Sequence, residues 1–186
     1  ETHPLGRPLQ EIEIRELNVK TASTDVPTLL QPLLAGRDAG LVSEAGVPAV
    51  ADPGADLVRL AHEKNIPVRP LVGPSSLLLA LAASGLNGQN FAFVGYLPQD
   101  GAARLQRIRE LETLSLKTGQ TQLFIETPYR NKALWEALLK GLQPHTRLAR
   151  ASGLTLPAMD VQCRAVKDWR QTSDIGDAPT VFAIGR

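Results

Sequence analysis

The chain has 186 residues, 20 Lys plus Arg against 19 Asp plus Glu, a net charge of +1, 43% apolar and 21% charged residues. These values exclude collagen, coiled coil and intrinsic disorder, and a near-neutral balance excludes a protein held to nucleic acid mainly by bulk charge. No apolar run reaches the ~18 residues of a membrane span, no secretory segment opens the chain, and a single cysteine, Cys163, excludes a disulfide framework and points to a reduced, cytosolic compartment.

In chain order, residues 1–10 read as coil. Glu11 to Leu17 alternates charge with Ile12 and Ile14, the pattern of a half-buried strand. Asp25 caps a predicted helix through Leu34, with Pro27 in its first turn, a possible kink at Pro32 and Gly36 as the C′ residue. Ala39 to Ser43 is a short apolar strand. Asp52-Pro53-Gly54 then opens a helix with Leu57, Val58, Leu60 and Ala61 on one face, stopped at Asn65. Pro67 to Val72 is the next strand. Gly73-Pro74-Ser75-Ser76 opens a helix without a polar side, expected to be buried on several sides and closed by Gly85. Phe91 to Tyr96 is a strand, and residues 97–101 read as a linker. Beyond it come a helix carrying Leu105, Ile108 and Leu111, a strand from Gln122 to Glu126, and a helix with Leu134, Ala137 and Leu138. Strands over Arg147 to Ser152, Val161 to Trp169 and Thr180 to Gly185 complete the chain.

The first half alternates strand and helix, which implies a mostly parallel sheet with covered faces. The second ends in consecutive strands that pair antiparallel in a mixed sheet. The expected fold is therefore α/β in two α/β domains, residues 1–97 and 98–186.

Strand-to-turn junctions after Ser43, Val72 and Glu126 stand out, because α/β sheets bind ligands at the carboxyl ends of their strands. Ala45 and Gly46 allow close backbone approach, and Ser75 and Ser76 offer hydroxyls and free N–H groups at a helix start. Ordinary α/β turns have the same composition, so the junctions alone assign nothing. GxGxxG and GxxxxGK[ST] loops are absent, and no Cys/His spacing suits zinc. His62 falls on a polar helix face, and Cys163 reads as a small packed hydrophobe. Arg104 and Arg107, with Arg130 and Lys132, form either a basic stripe or a solvated face.

Taken together, four segments resemble the tetrapyrrole methylase superfamily, whose closest branch here is the bacterial small-subunit ribosomal RNA cytidine 2′-O-methyltransferases. Residues 43–54, SEAGVPAVADPG, resemble the family's S-D-A-G-T-P-x-x-S-D-P-G run. Val72 to Ser76 with Ser84-Gly85-Leu86 resembles its P-G-P-[SC] and A-x-G-L segment. Phe91 to Pro98 resembles its F-x-x-x-G-F-L-P junction, and residues 124–130, FIETPYR, its F-Y-E-S-x-H-R turn. The resemblance implies S-adenosylmethionine held between two domains, and a homodimer. Carried over by position, Ala45, Gly46, Val47 and Val50 line the methionine side of that cofactor. Ser75 and Ser76 touch it from the helix start, and Glu126, Gly153 and Thr180 close the nucleoside pocket. Glu44 is a general-base candidate by position only, or an anchor for the cofactor's amino group, so no catalytic residue is assigned.

The chain also departs from the family. Glu44 replaces Asp, Val47 replaces Thr, and residues 152–157, SGLTLP, lack the charges of the ribosomal branch's R-E-L-T-K segment. The family opens with a strand, a Pro/Gly loop and a helix, of which only His3-Pro4-Leu5-Gly6 bears a faint likeness, so a longer protein is expected. The resemblance implies ribosomal RNA as methyl acceptor. The alternatives are a tetrapyrrole or other small-molecule acceptor, or a non-catalytic paralogue that binds S-adenosylmethionine.

Overall fold

The structure, a computed structural model, describes residues 8–21, 23–169 and 175–186. The His3-Pro4-Leu5-Gly6 segment lies outside the described residues. The chain divides into two compact units, Glu1–Gly73 and Pro74–Arg186. The sequence reading puts a boundary at 97/98. The division falls earlier because the helix and strand between the two points pack on the C-terminal sheet.

The first unit has no aromatic residue. Its small core forms where a 3-10 turn, Val26–Leu30, meets helix α2, Ala55–Glu63, and buries Val26, Leu30 and Ala61. The helix expected from Asp25 is a 3-10 turn followed by a short α1, Gln31–Leu34. Pro27 and Pro32 sit where each piece starts and supply no N–H, so one continuous helical ladder is not available. Asp25 accepts through its backbone carbonyl, from Thr28, rather than capping with its side chain. Gly36 is left-handed just beyond α1, as its C′ position demands. The N-cap of α2 is Gly54 rather than Asp52.

The strands expected over 11–17, 39–43 and 67–72 form no ladder, so the parallel sheet they imply is absent among the described residues of this unit. Val42, Leu71 and Val72 remain exposed. A local apolar run supplies only side chains; strand geometry requires a partner, and parallel partners are distant in sequence.

The second unit is a five-stranded mixed sheet. Its strands are β1 Phe91–Tyr96, β2 Thr121–Glu126, β3 Arg147–Ser152, β4 Asp160–Ala165 and β5 Thr180–Gly185. The order is β1-β2-β5-β3-β4, with β1 and β2 parallel and every other pair antiparallel. The mixed sheet expected of the C-terminal half is thus present, and the fold is α/β. Strand β4 stops at Ala165, short of the expected Trp169, because residues 166–168 turn into a 3-10 helix.

Helices α4, Gly101–Thr118, and α5, Asn131–Gly141, cover one face. The supposed linker supplies the start of α4: Asp100 Oδ1 accepts the Ala103 N–H at 2.9 Å. Ile108, Leu134, Leu138, Phe124 and Phe182 are fully buried here, each worth roughly 1.5–3 kcal/mol by burial. Arg150 lies over the rings of Trp135 and Trp169, 5.7 and 5.4 Å from their centroids, and its Nη2 donates to Asp160 at 2.8 Å.

Helix α3, Ser76–Ser84, covers part of the other face over β5, β3 and β4. Ala80, Leu81 and Ser84 are buried, while Leu78, Leu79, Ala82 and Ala83 are exposed. A helix apolar all round is therefore buried on one side only, contrary to the sequence expectation. Its end is fixed by Leu86, whose side chain lies 3.0 Å from where a Cβ on Gly185 would stand.

Candidate functional site

In the second unit, Glu126 ends β2, Thr180 begins β5 and Ser152 ends β3. Ladder register places Glu126 opposite Thr180 and Ser152 opposite Thr180, so the three share one end and one face of the sheet. That face is the one covered by α4 and α5, since Phe124 and Phe182, two residues along each strand, lie in the core below those helices.

The hydrogen bonds assign most protons. Thr180 Oγ1 donates to Ala178 O at 2.9 Å, so in its 2.8 Å contact with Ser152 Oγ the serine is the donor. Asn131, first residue of α5, donates through Nδ2 to Ala178 O at 2.9 Å and to Thr180 Oγ1 at 3.4 Å. All the donors around Glu126 converge on one oxygen. Its Oε1 accepts Thr127 N–H at 2.8 Å and Thr127 Oγ1 at 3.3 Å, together with Arg130 Nε at 3.0 Å and Arg130 Nη2 at 2.8 Å.

Two buried acceptors are left over. Glu126 Oε2 and Asn131 Oδ1 have no hydrogen-bond partner among the described residues. Unpartnered buried acceptors cost roughly 1–3 kcal/mol each, and what answers them is a group rich in N–H or O–H. Gly153 follows Ser152 with φ +58°, its N–H donating to Pro179 O at 3.0 Å, and lets the chain turn sharply away from the cluster.

The sequence reading brings Glu126, Gly153 and Thr180 to this site, and the structure gathers them. It missed Ser152 and Asn131: neither has a chemical signature alone, and only strand register and the α5 start unite them. Ser75 is the N-cap of α3 with no side-chain cap bond, and Ser76 is exposed, so their hydroxyls are not engaged within the helix. Among the described residues no hydrogen bond joins them to the Glu126 cluster.

In the first unit, Ala45, Gly46, Val47 and Val50 lie on one loop, residues 43–54. Ser43 Oγ donates to Ala45 O at 2.9 Å, and Val50 N–H donates to Val47 O at 3.2 Å. Gly46, Ala49, Ala51 and Gly54 all have positive φ, of 82°, 64°, 58° and 138°. Two left-handed alanines in one loop are backbone strain, which clusters at functional sites. Nothing lies within 4 Å of a Cβ built on Gly46, so its backbone is open to approach. A cavity of about 450 Å³ in this unit is lined by Asp52, Gly54 and Leu57 but by none of Ala45, Gly46, Val47 and Val50. Glu44 is exposed.

The basic stripe does not form. Arg104 is buried and donates to Pro98 O at 2.9 Å and Gln99 O at 2.8 Å, Arg107 pairs with Glu110, and Arg130 pairs with Glu126.

Solved structures share this architecture. The methyltransferase CobJ superposes with a TM-score of 0.60 at 20% identity, covering 96% of this chain and 79% of that one. A uroporphyrin-III C-methyltransferase from Thermus thermophilus, in complex with S-adenosyl homocysteine, gives 0.51 at 19% identity, covering 90% and 74%. The fold is therefore that of this group of α/β proteins. The family model of the Tetrapyrrole (Corrin/Porphyrin) Methylases matches residues 8–162, and the chain belongs to that family. The ribosomal RNA small subunit methyltransferase I of Mesorhizobium japonicum is 33% identical over 162 residues, 86% of this chain and 54% of the relative. The chain spans between a third and about half of the length of such curated relatives. Among the described residues no helix is long and apolar enough to cross a membrane.

Proposed function

We propose that this chain is part of an S-adenosylmethionine-dependent methyltransferase that methylates small-subunit ribosomal RNA at a ribose 2′-hydroxyl, as a homodimer in the cytoplasm. The observation that carries this reading is identity to a ribosomal RNA methyltransferase sustained across most of the chain. Membership of a methylase family supports it.

The residues present fit the cofactor. Glu126 Oε2 and Asn131 Oδ1 are buried acceptors in want of donors, and a nucleoside supplies an amine and ribose hydroxyls. In this proposal Glu126, Thr180 and Gly153 serve the nucleoside portion, and Ser75 and Ser76 touch the cofactor from the start of α3. Ala45, Gly46, Val47 and Val50 serve the methionine portion through a backbone left accessible at Gly46. When bound, the cofactor supplies an electrophilic methyl group on a sulfonium; the protein's part is alignment. Arg130 and Thr127 hold the Glu126 carboxylate through Oε1 and leave Oε2 as the oxygen without a partner.

The test is transfer of labelled methyl from S-adenosylmethionine to small ribosomal subunits or their RNA, with uroporphyrinogen as the competing acceptor. The reading requires label in RNA, at a linkage that resists alkaline cleavage because the 2′-oxygen is blocked. Transfer should fall steeply with salt if phosphates are bound. Label only in the macrocycle would overturn it.

A further inference from the structure

The turn that carries Arg130 presents a second feature, which the cofactor reading leaves unused. Tyr129 is 77% exposed, the most solvent-exposed aromatic side chain among the described residues, although it sits in a short 3-10 turn, Pro128–Arg130, directly after a strand whose other residues are buried or half-buried. Its ring is not loose. The Arg130 guanidinium lies 5.2 Å from the ring centroid, and two of that guanidinium's nitrogens are held by the fully buried Glu126 carboxylate, at 3.0 and 2.8 Å. Thr127 braces the same carboxylate oxygen from the other side of the turn. A buried anion thus fixes a cation, and the cation lies against the tyrosine ring.

We propose that Tyr129, backed by Arg130, is a stacking platform for an unpaired base of the acceptor RNA. This rests on the ribosomal RNA reading and adds to it the strand state of the substrate and the residue that grips it. Only a splayed or single-stranded nucleotide offers its base face, and aromatic rings and arginine planes are what single-stranded RNA stacks on. A methyl transfer to a ribose 2′-hydroxyl needs the nucleotide held still, and a rigid ring does so with little ordering cost. Arg130 is neutralised by Glu126, so the platform reads the base face rather than the phosphate charge. Its contribution therefore persists at salt concentrations that weaken phosphate contacts.

The experiment measures binding of a fluorescein-labelled single-stranded RNA 12-mer and of the same sequence as a duplex, by anisotropy, at low and high salt. S-adenosylhomocysteine affinity is measured alongside. Tyr129→Ala is expected to weaken single-strand binding about tenfold, within the range for loss of one stacked base. Tyr129→Phe should keep it within about twofold, and both should leave duplex binding and S-adenosylhomocysteine affinity unchanged. Equal single-strand affinity for Tyr129→Ala and the parent overturns the platform. So does a parallel loss of S-adenosylhomocysteine affinity, which would place the ring on the cofactor. If the parent binds neither RNA nor S-adenosylhomocysteine, the functional reading itself falls, and the platform with it.

Discussion

Gly54→Ala is the most exacting test of the first unit's loop. Gly54 is buried at φ 138°, ψ −24°, a region essentially closed to other residues. Holding alanine there costs about 1–3 kcal/mol in backbone strain. The added Cβ would also stand 2.7 Å from Leu41 Cδ2, 3.2 Å from Ala49 Cβ and 3.3 Å from Ala49 N. The Leu41 methyl can rotate away; the Ala49 backbone cannot, because its N–H is bonded to Pro53 O. Overpacking of this kind adds about 1–3 kcal/mol, so the total is about 2–6 kcal/mol, roughly thirtyfold or more in the opening equilibrium. Gly46→Ala is the control. It has φ 82° with open space around the new methyl, and carries only the left-handed penalty of about 1–2 kcal/mol. With no aromatic reporter in this unit, hydrogen exchange is the assay. Amides of Ala49 and Val58, the latter donating to Gly54 O, should exchange at least about ten times faster in Gly54→Ala than in Gly46→Ala. Amides of β2 should not change. Equal rates in the two variants would refute the steric argument.

The second unit gives further tests. Leu138→Ala, at a fully buried position between α5 and the sheet, should destabilise by about 2–5 kcal/mol in urea unfolding followed by tryptophan fluorescence. Glu112 on α4 accepts from Gln143 N–H and from the hydroxyl of the buried Thr146, so Glu112→Ala should cost about 1–3 kcal/mol by leaving that hydroxyl unanswered, while Glu110→Ala on the solvent side costs under about 1 kcal/mol. Asp160 has its carboxyl held below the usual range by hydrogen bonds from Gln162 and then Arg150, with further attraction from Arg150 and Arg164, against the cost of burial. A lowered folded-state value stabilises above the unfolded carboxylate range, about pH 4, and the benefit is lost as pH falls through the folded value. The parent should therefore lose stability over that acid window, and Asp160→Asn should lose less.

What the sequence disclosed and what it concealed divide along a physical line. Helices α4 and α5 and strands β2, β3 and β5 are legible because their apolar spacing and their neighbours in sequence suffice to define them. Gly85 ends α3 in a left-handed conformation, a local demand visible in the residue itself. The segments 39–43 and 67–72 misled because a parallel strand exists only with its partner. Helix α3 misled because apolar composition does not say how many sides are covered. At the site, Glu126 stood out in a motif, whereas Ser152 and Asn131 became visible only through ladder register and one hydrogen-bond chain. Arg104 read as part of a surface stripe and instead ties the start of α4 to Pro98 and Gln99, which depends on a turn no periodicity encodes.

The central claim is that the unpartnered oxygen of Glu126 receives a donor from the nucleoside of a methyl donor. Isothermal titration of S-adenosylhomocysteine into the parent and Glu126→Gln measures it directly. The glutamine can keep its carbonyl toward Arg130 and Thr127, so the fold is retained, but it presents an amide N–H where Oε2 stood. The parent should bind one equivalent per chain, and the variant about tenfold or more weakly. A parent that takes up no S-adenosylhomocysteine, or a variant that binds it equally well, would contradict the account.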